Sequence, residues 1–148
     1  MFTIPVLNTM RLLQAADEFR ANLSCELGAV HGLSVNEFFL LMHLDRAPSR
    51  KLARVDLAKR MHVSASTVTR MVAPMEKTGM LAREASRRDS RVAFVVLRAA
   101  GSKRLREAQK TFASQARALF EDRWTDDELE QLSELLGRLV AGSPANLT

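Results

Sequence analysis

Apolar side chains recur at helical spacing towards both ends of the chain and switch to strand-like spacing only in the middle. Val6, Met10, Leu13, Phe19 and Leu23, with Asp17 among them, predict a helix over residues 6–29. Pro5 and Gly28 punctuate its ends. Ser34 and Glu37 form an S-x-x-E capping box, so a second helix starts at about Val35. Its Phe38, Phe39, Leu41, Met42 and Leu44 lie nearly all round the axis, which predicts burial at the centre of the fold. Pro48 stops it. A short helix over Arg54–Met61 is expected to turn Val55, Leu57, Ala58 and Met61 inward. His62 and Val63 make a turn, Ser64 caps a helix over Ala65–Thr78, and Gly79 closes it. The inward residues there are Val68, Met71, Val72 and Met75.

The period then changes. Residues 81–85 and the β-branched run 92–97 read as strands around the polar tip SRRDSR, a hairpin with a charged end. A long helix follows over residues 99–122, with Leu105, Phe112, Ala116 and Leu119 in one stripe. Thr125 and Glu128 form a second capping box before Leu129, Leu132, Leu135, Leu136, Leu139 and Val140. The tail GSPANLT is expected to fray. The fold class is mainly α with a small β-hairpin.

Length and composition, 148 residues with 47% hydrophobic and 26% charged, match one ordinary globular domain. Charge distribution says more. Residues 46–110 hold 17 Lys+Arg against 5 Asp+Glu, a balance of +12; the rest hold 5 against 12, a balance of −7, which together give the net +5. Segregation of this size points to a polyanionic partner at the middle, or else to a basic solvated face. No apolar run approaches the roughly 20 residues of a membrane span, and no signal-peptide pattern opens the chain, so the expected compartment is the cytoplasm. One cysteine, Cys25, and three histidines without ligand spacing predict neither disulfide nor metal site. No catalytic motif is present, so neither an enzyme nor a cofactor is expected.

Helix, tight turn, helix, hairpin is an arrangement that reads DNA. A helix-turn-helix needs a small residue where its helices cross, and Ala58 is there; Val63 supplies the anchor after the turn. Short polar side chains must open the second helix to enter a major groove, here Ser64, Ala65, Ser66, Thr67, Thr69 and Arg70. Arg70 suits a bidentate contact to guanine. Arg83, Arg87, Arg88 and Arg91 on the hairpin suit a narrow, electronegative minor groove, with Asp89 pairing to Arg91 or capping the turn. A capped surface helix beside a solvated turn is the plainer account of the same residues.

The stretch VDLAKRMHVSASTVTRMVAPMEKTGMLAREASRRDSRVAFVVL, with its D-x-R at Asp89-Ser90-Arg91, resembles the MarR family of winged-helix transcriptional regulators. The likeness covers nearly the whole chain. It implies one domain: a winged helix-turn-helix over residues 34–98, and dimerisation helices over 1–33 and 99–148. Three positions depart from the family pattern. Arg98 stands where Thr usually caps the next helix, His62 where Gly is common in the turn, and Pro74 lies inside the reading helix and should bend it.

The resemblance further implies a homodimer on a palindromic double-stranded DNA operator. Such regulators are mostly repressors, released by a small aromatic or phenolic effector held between dimer helices and winged head. His31, Phe38, Met42 and His43 fall near that junction and are the candidate effector contacts, with core positions as the alternative for the apolar ones. Hydroperoxide sensors of the family use a first-helix cysteine activated by tyrosines, and this chain has no tyrosine. Cys25 is therefore expected to be a buried structural residue, with a thiol switch as the second possibility. A winged helix adapted to protein partners, with DNA binding lost, is the third.

Overall fold

The computed structural model describes residues 1–148. Six helices and three short strands run in the order α1 (Ile4–His31), α2 (Val35–Arg46), β1 (Lys51–Ala53), α3 (Arg54–Met61), α4 (Ala65–Lys77), β2 (Leu81–Ala85), β3 (Ala93–Leu97), α5 (Ala99–Phe120) and α6 (Asp126–Val140). A single 3-10 turn, Pro48–Arg50, precedes β1. No single helix is long and apolar enough to cross a membrane.

Helix α2 is the hub. Ser34 Oγ accepts from the Glu37 N–H at 3.0 Å, and Glu37 Oε2 accepts from the Ser34 N–H at 2.8 Å, so the capping box is complete. Val35, Phe38, Leu40, Leu41, His43 and Leu44 are buried, as an all-round apolar helix requires. Around it pack Leu23 and Leu27 of α1, Leu57 and Ala58 of α3, and Leu105 and Ala108 of α5, and Val68, Val72 and Met75 of α4 join the same core. Val55 is the exception among the residues expected inward. It is 56% exposed, because an eight-residue helix buries one narrow face, already filled by Leu57 and Ala58.

The sheet has three strands, not the two of a hairpin alone. Its order is β1-β3-β2, all antiparallel, with Leu52 opposite Val95 and Arg83 opposite Val95 from the other side. Three residues, Lys-Leu-Ala, are too short to show a period of two, so β1 leaves no sequence signal. Its effect is to anchor the inner edge of the hairpin to the helical head.

Gly101 closes the join between β2 and α5. A side chain there would collide with the Met80 carbonyl oxygen and with Leu97 Cδ1. That oxygen accepts instead from the Arg98 N–H at 3.0 Å. The bond fastens the start of α5, whose N-cap residue Arg98 makes no side-chain cap, as the sequence suggests.

Candidate nucleic-acid interface

Helix α4 is held by its inner face and presents its N-terminal end. Val68, Val72 and Met75 are buried, and Ala65 packs against the same core. The chain reaches α4 through His62, which adopts the left-handed conformation (φ 53°, ψ 41°) that its place in the turn demands. Pro74 does not end the helix, which continues to Lys77.

At the exposed end a chain of hydroxyls leads to an arginine. Ser64 Oγ accepts from the Thr67 N–H at 3.1 Å and lies 2.9 Å from both Ser66 Oγ and Thr67 Oγ1. Thr67 Oγ1 in turn accepts from Arg70 Nη2 at 3.3 Å. Ser64, Ser66 and Arg70 are exposed and Thr67 is half-buried. Thr69 faces elsewhere. Its hydroxyl donates to the Ala65 carbonyl at 3.1 Å and accepts from Arg54 Nη1 at 2.9 Å. Of the six residues singled out on this helix, Ser64, Ser66, Thr67 and Arg70 form the outward face, while Ala65 and Thr69 lie against the protein.

The tip between β2 and β3 is tied from within. Ser86 Oγ accepts from the N–H groups of Arg88 and Asp89 at 3.2 and 3.4 Å, and the Asp89 carbonyl accepts from the Val92 N–H at 3.0 Å. Asp89 Oδ1 accepts from the Arg91 backbone N–H at 3.0 Å and from Arg91 Nε at 3.2 Å. These bonds, the backbone one foremost, hold the Asp89 carboxyl below its usual range. Asp89 thus both caps the turn and orients Arg91, whose side chain is still 90% exposed. Arg87 and Arg88 are exposed and line an open cleft of about 500 Å³ with Lys51, Glu84 and Phe94. Arg83 stands apart from the tip, with Nε 3.8 Å from Glu76 Oε1 on α4.

The effector candidates divide into two places. His31 Nε2 lies 2.7 Å from Thr111 Oγ1, Phe38 stacks on Phe112 at 4.8 Å, and Met42 Sδ accepts from Gln109 Nε2 at 3.1 Å. All three meet one turn of α5. His43 is on another side of α2, 2% exposed, with an unpartnered Nδ1. Burial first, then the charges of Arg60 and Arg46, push its pKa below the ordinary value. Cys25 is exposed in this chain, contrary to a buried structural role. It falls on a stretch of α1 where only Leu23, Leu27 and His31 are buried.

Two residues of this surface carry no signal in a motif reading: Lys51, on the unrecognised β1, and Arg54. An arginine as the first residue of a helix opposes the helix dipole, and that is the mark by which Arg54 could have been found.

A sequence model of the MarR family matches residues 33–93, from the approach to α2 through the wing tip. The HTH-type transcriptional repressor YetL of Bacillus subtilis is 30% identical over 111 residues, an alignment covering 75% of this chain and 66% of YetL. The chain belongs to the MarR family. Sco3205, a MarR family transcriptional regulator from Streptomyces coelicolor solved in complex with DNA, is 28% identical and superposes with a TM-score of 0.81 over 95% of this chain and 92% of its own. The organohalide-sensing regulator RdhR-CbdbA1625, solved in its 2,4-dichlorophenol-bound form, shares the fold at 18% identity, with a TM-score of 0.80 over 97% of this chain and 83% of its own. MarR family proteins are transcriptional regulators rather than enzymes, and the three-stranded winged head and flanking long helices seen here are their architecture.

Proposed function

We propose that this MarR family chain is a sequence-specific repressor that binds a palindromic operator as a homodimer and is released by a small aromatic or phenolic effector. The carrying observation is the outward face of α4. Four polar side chains, Ser64, Ser66, Thr67 and Arg70, are linked to one another and to no other part of the chain. The exposed Arg91, fixed by Asp89, stands on the wing. The first set suits base edges in a major groove, and the second a narrow minor groove. Arg87 and Arg88 add cations to the wing, and the Asp89 carboxylate serves as an internal brace for Arg91 rather than as a repelling charge.

Dimerisation accounts for the flanks, residues 1–33 and 99–148. Ile4, Leu13, Leu135 and Leu139 are 73%, 63%, 55% and 67% exposed in the single chain, an apolar surface a second copy would cover. Two heads related by a two-fold axis read half-sites about 34–36 Å apart. For the effector, the favoured place is where His31, Phe38 and Met42 meet α5, since it joins the flanking helices to the head. A ligand preferring one spacing of the heads would shift the equilibrium between states.

The exposed thiol of Cys25 favours one second reading, a redox switch. A Cys25→Ser variant that still loses DNA on peroxide treatment removes the thiol from the mechanism.

Selection of duplexes from a random pool by the full chain tests the main reading. The expected product is an enriched palindrome with half-sites one helical turn apart. No enrichment would favour an adaptor that binds protein instead.

A further inference from the structure

Arg54 carries two local penalties. As the first residue of α3 it sets a cation at the positive end of the helix dipole, where no side chain caps the helix. Its Nε–H is also buried without a partner. A residue that conflicts with its own helix and leaves a donor unsatisfied is kept for what its other end does.

That end is Nη1, which donates to Thr69 Oγ1 at 2.9 Å, and Thr69 Oγ1 donates to the Ala65 carbonyl at 3.1 Å. One guanidinium thus grips the first turns of α4 from the preceding helix. Arg54 and Thr69 also share a small cavity with Glu76, Arg83 and Phe94, and Glu76 and Arg83 pair across it at 3.8 Å. The reading helix is fastened twice here, to α3 through Thr69 and to the wing through Glu76.

We infer that Arg54 is a positioning residue for base recognition, acting through Thr69 to fix the rotation of α4 about its axis. The inference rests on the proposed DNA-reading role of α4. Thr69 immediately precedes Arg70 and lies two residues before Met71, which packs against the core. Rotation that the Arg54–Thr69 bond prevents would carry Arg70 and Ser66 out of register with the base edges. The bond adds no contact to DNA. It decides where the outward side chains point.

The test uses the full-length protein and the operator chosen by the selection above, together with duplexes altered singly at each half-site position. Arg54→Met keeps the aliphatic stem and removes the guanidinium; Thr69→Val keeps the shape and removes the hydroxyl. Each is expected to flatten discrimination at the base read by Arg70 roughly tenfold. The double variant should lose no more than either single one, because both break the same link. Thr69→Ser should restore discrimination, and the salt dependence should keep its slope, since no phosphate contact is lost.

A slope reduced by about 1 in Arg54→Met would make Arg54 a phosphate contact and overturn the inference. So would additive losses, or a lower melting temperature with discrimination intact, the signature of packing alone. If the wild-type chain selects no duplex, the reading of α4 falls and takes this inference with it. If it selects one and Arg54→Met selects it equally well, only the inference falls.

Discussion

Helices α2 and α6 begin in the same way and end in opposite environments. Each starts at a complete capping box, Ser34 with Glu37 and Thr125 with Glu128, and they are 12 and 15 residues long. Yet α2 buries six residues, while α6 buries none and leaves Leu135, Leu136, Leu139 and Val140 exposed. Capping fixes where a helix starts and says nothing of what covers it. The difference lies in the rest of the pattern. Apolar residues run nearly all round α2, which needs neighbours on every side and finds them within the chain. In α6 they form one stripe opposite a charged face, which needs one neighbour, and the chain does not supply it. The head closes on itself, whereas the flanks leave an apolar stripe uncovered.

The largest expected effect breaks that contrast from the α6 side. Leu136→Asp with Leu139→Asp should leave the head folded and abolish the dimer, observed as a monomer in analytical ultracentrifugation at micromolar concentration. Operator affinity should fall roughly 1,000-fold or more, because a single head retains only half the contacts. A dimer that survives both charges would place the interface elsewhere. The matching change in α2 acts on stability instead. Leu41, fully buried, should cost about 2–5 kcal/mol as Leu41→Ala in denaturant unfolding, with no change of oligomeric state in the folded fraction.

Most helices were legible because caps and apolar spacing agree: α2 and α3 start and stop where the sequence puts them, and α1, α4, α5 and α6 do so within two residues. What escaped was non-local. Strand β1 exists because Leu52 and Ala53 find β3 more than 40 positions away, and three residues cannot announce that pairing. Gly101 is required by a carbonyl from another loop, a proximity no spacing encodes. Within the site, the residue types of α4 were readable, but Thr69 was not separable from Ser66 and Thr67. Its hydroxyl is held inward by the Ala65 carbonyl and by Arg54, a partner 15 positions away. Cys25 was misjudged for a related reason: burial of a helix residue depends on what crosses the helix, and nothing in the chain covers α1 at that point.

The reading surface offers a sharper and smaller test of the head. Arg70→Ala should cost on the order of 1–3 kcal/mol and relax preference at one base pair per half-site, measured by competition among altered duplexes. Equal weakening on every sequence would make Arg70 a phosphate contact. Arg91→Ala should weaken binding most where A·T-rich flanks narrow the minor groove. With Asp89 left unpaired, Asp89→Asn in that background should recover part of the loss.

The smallest effect probes the hub of the head through His43. Its ring is enclosed, its Nδ1 has no partner, and the charged groups acting on it, Arg60 and Arg46, are both positive. All of these favour the neutral imidazole in the folded state, so the folded pKa lies below the unfolded value of about 6.5. Above that value neither state binds the proton, and His43 adds no pH dependence. As pH falls through it, the unfolded chain takes up a proton that the folded chain refuses, and stability declines until the folded pKa is reached. One proton limits the slope to about 1.4 kcal/mol per pH unit. The wild-type melting temperature should therefore drop more steeply than that of His43→Gln between pH 7 and pH 5, at equal protein concentration. Parallel curves would mean that the core of α2 admits the charged ring, and that this part of the head is less closed than its packing implies.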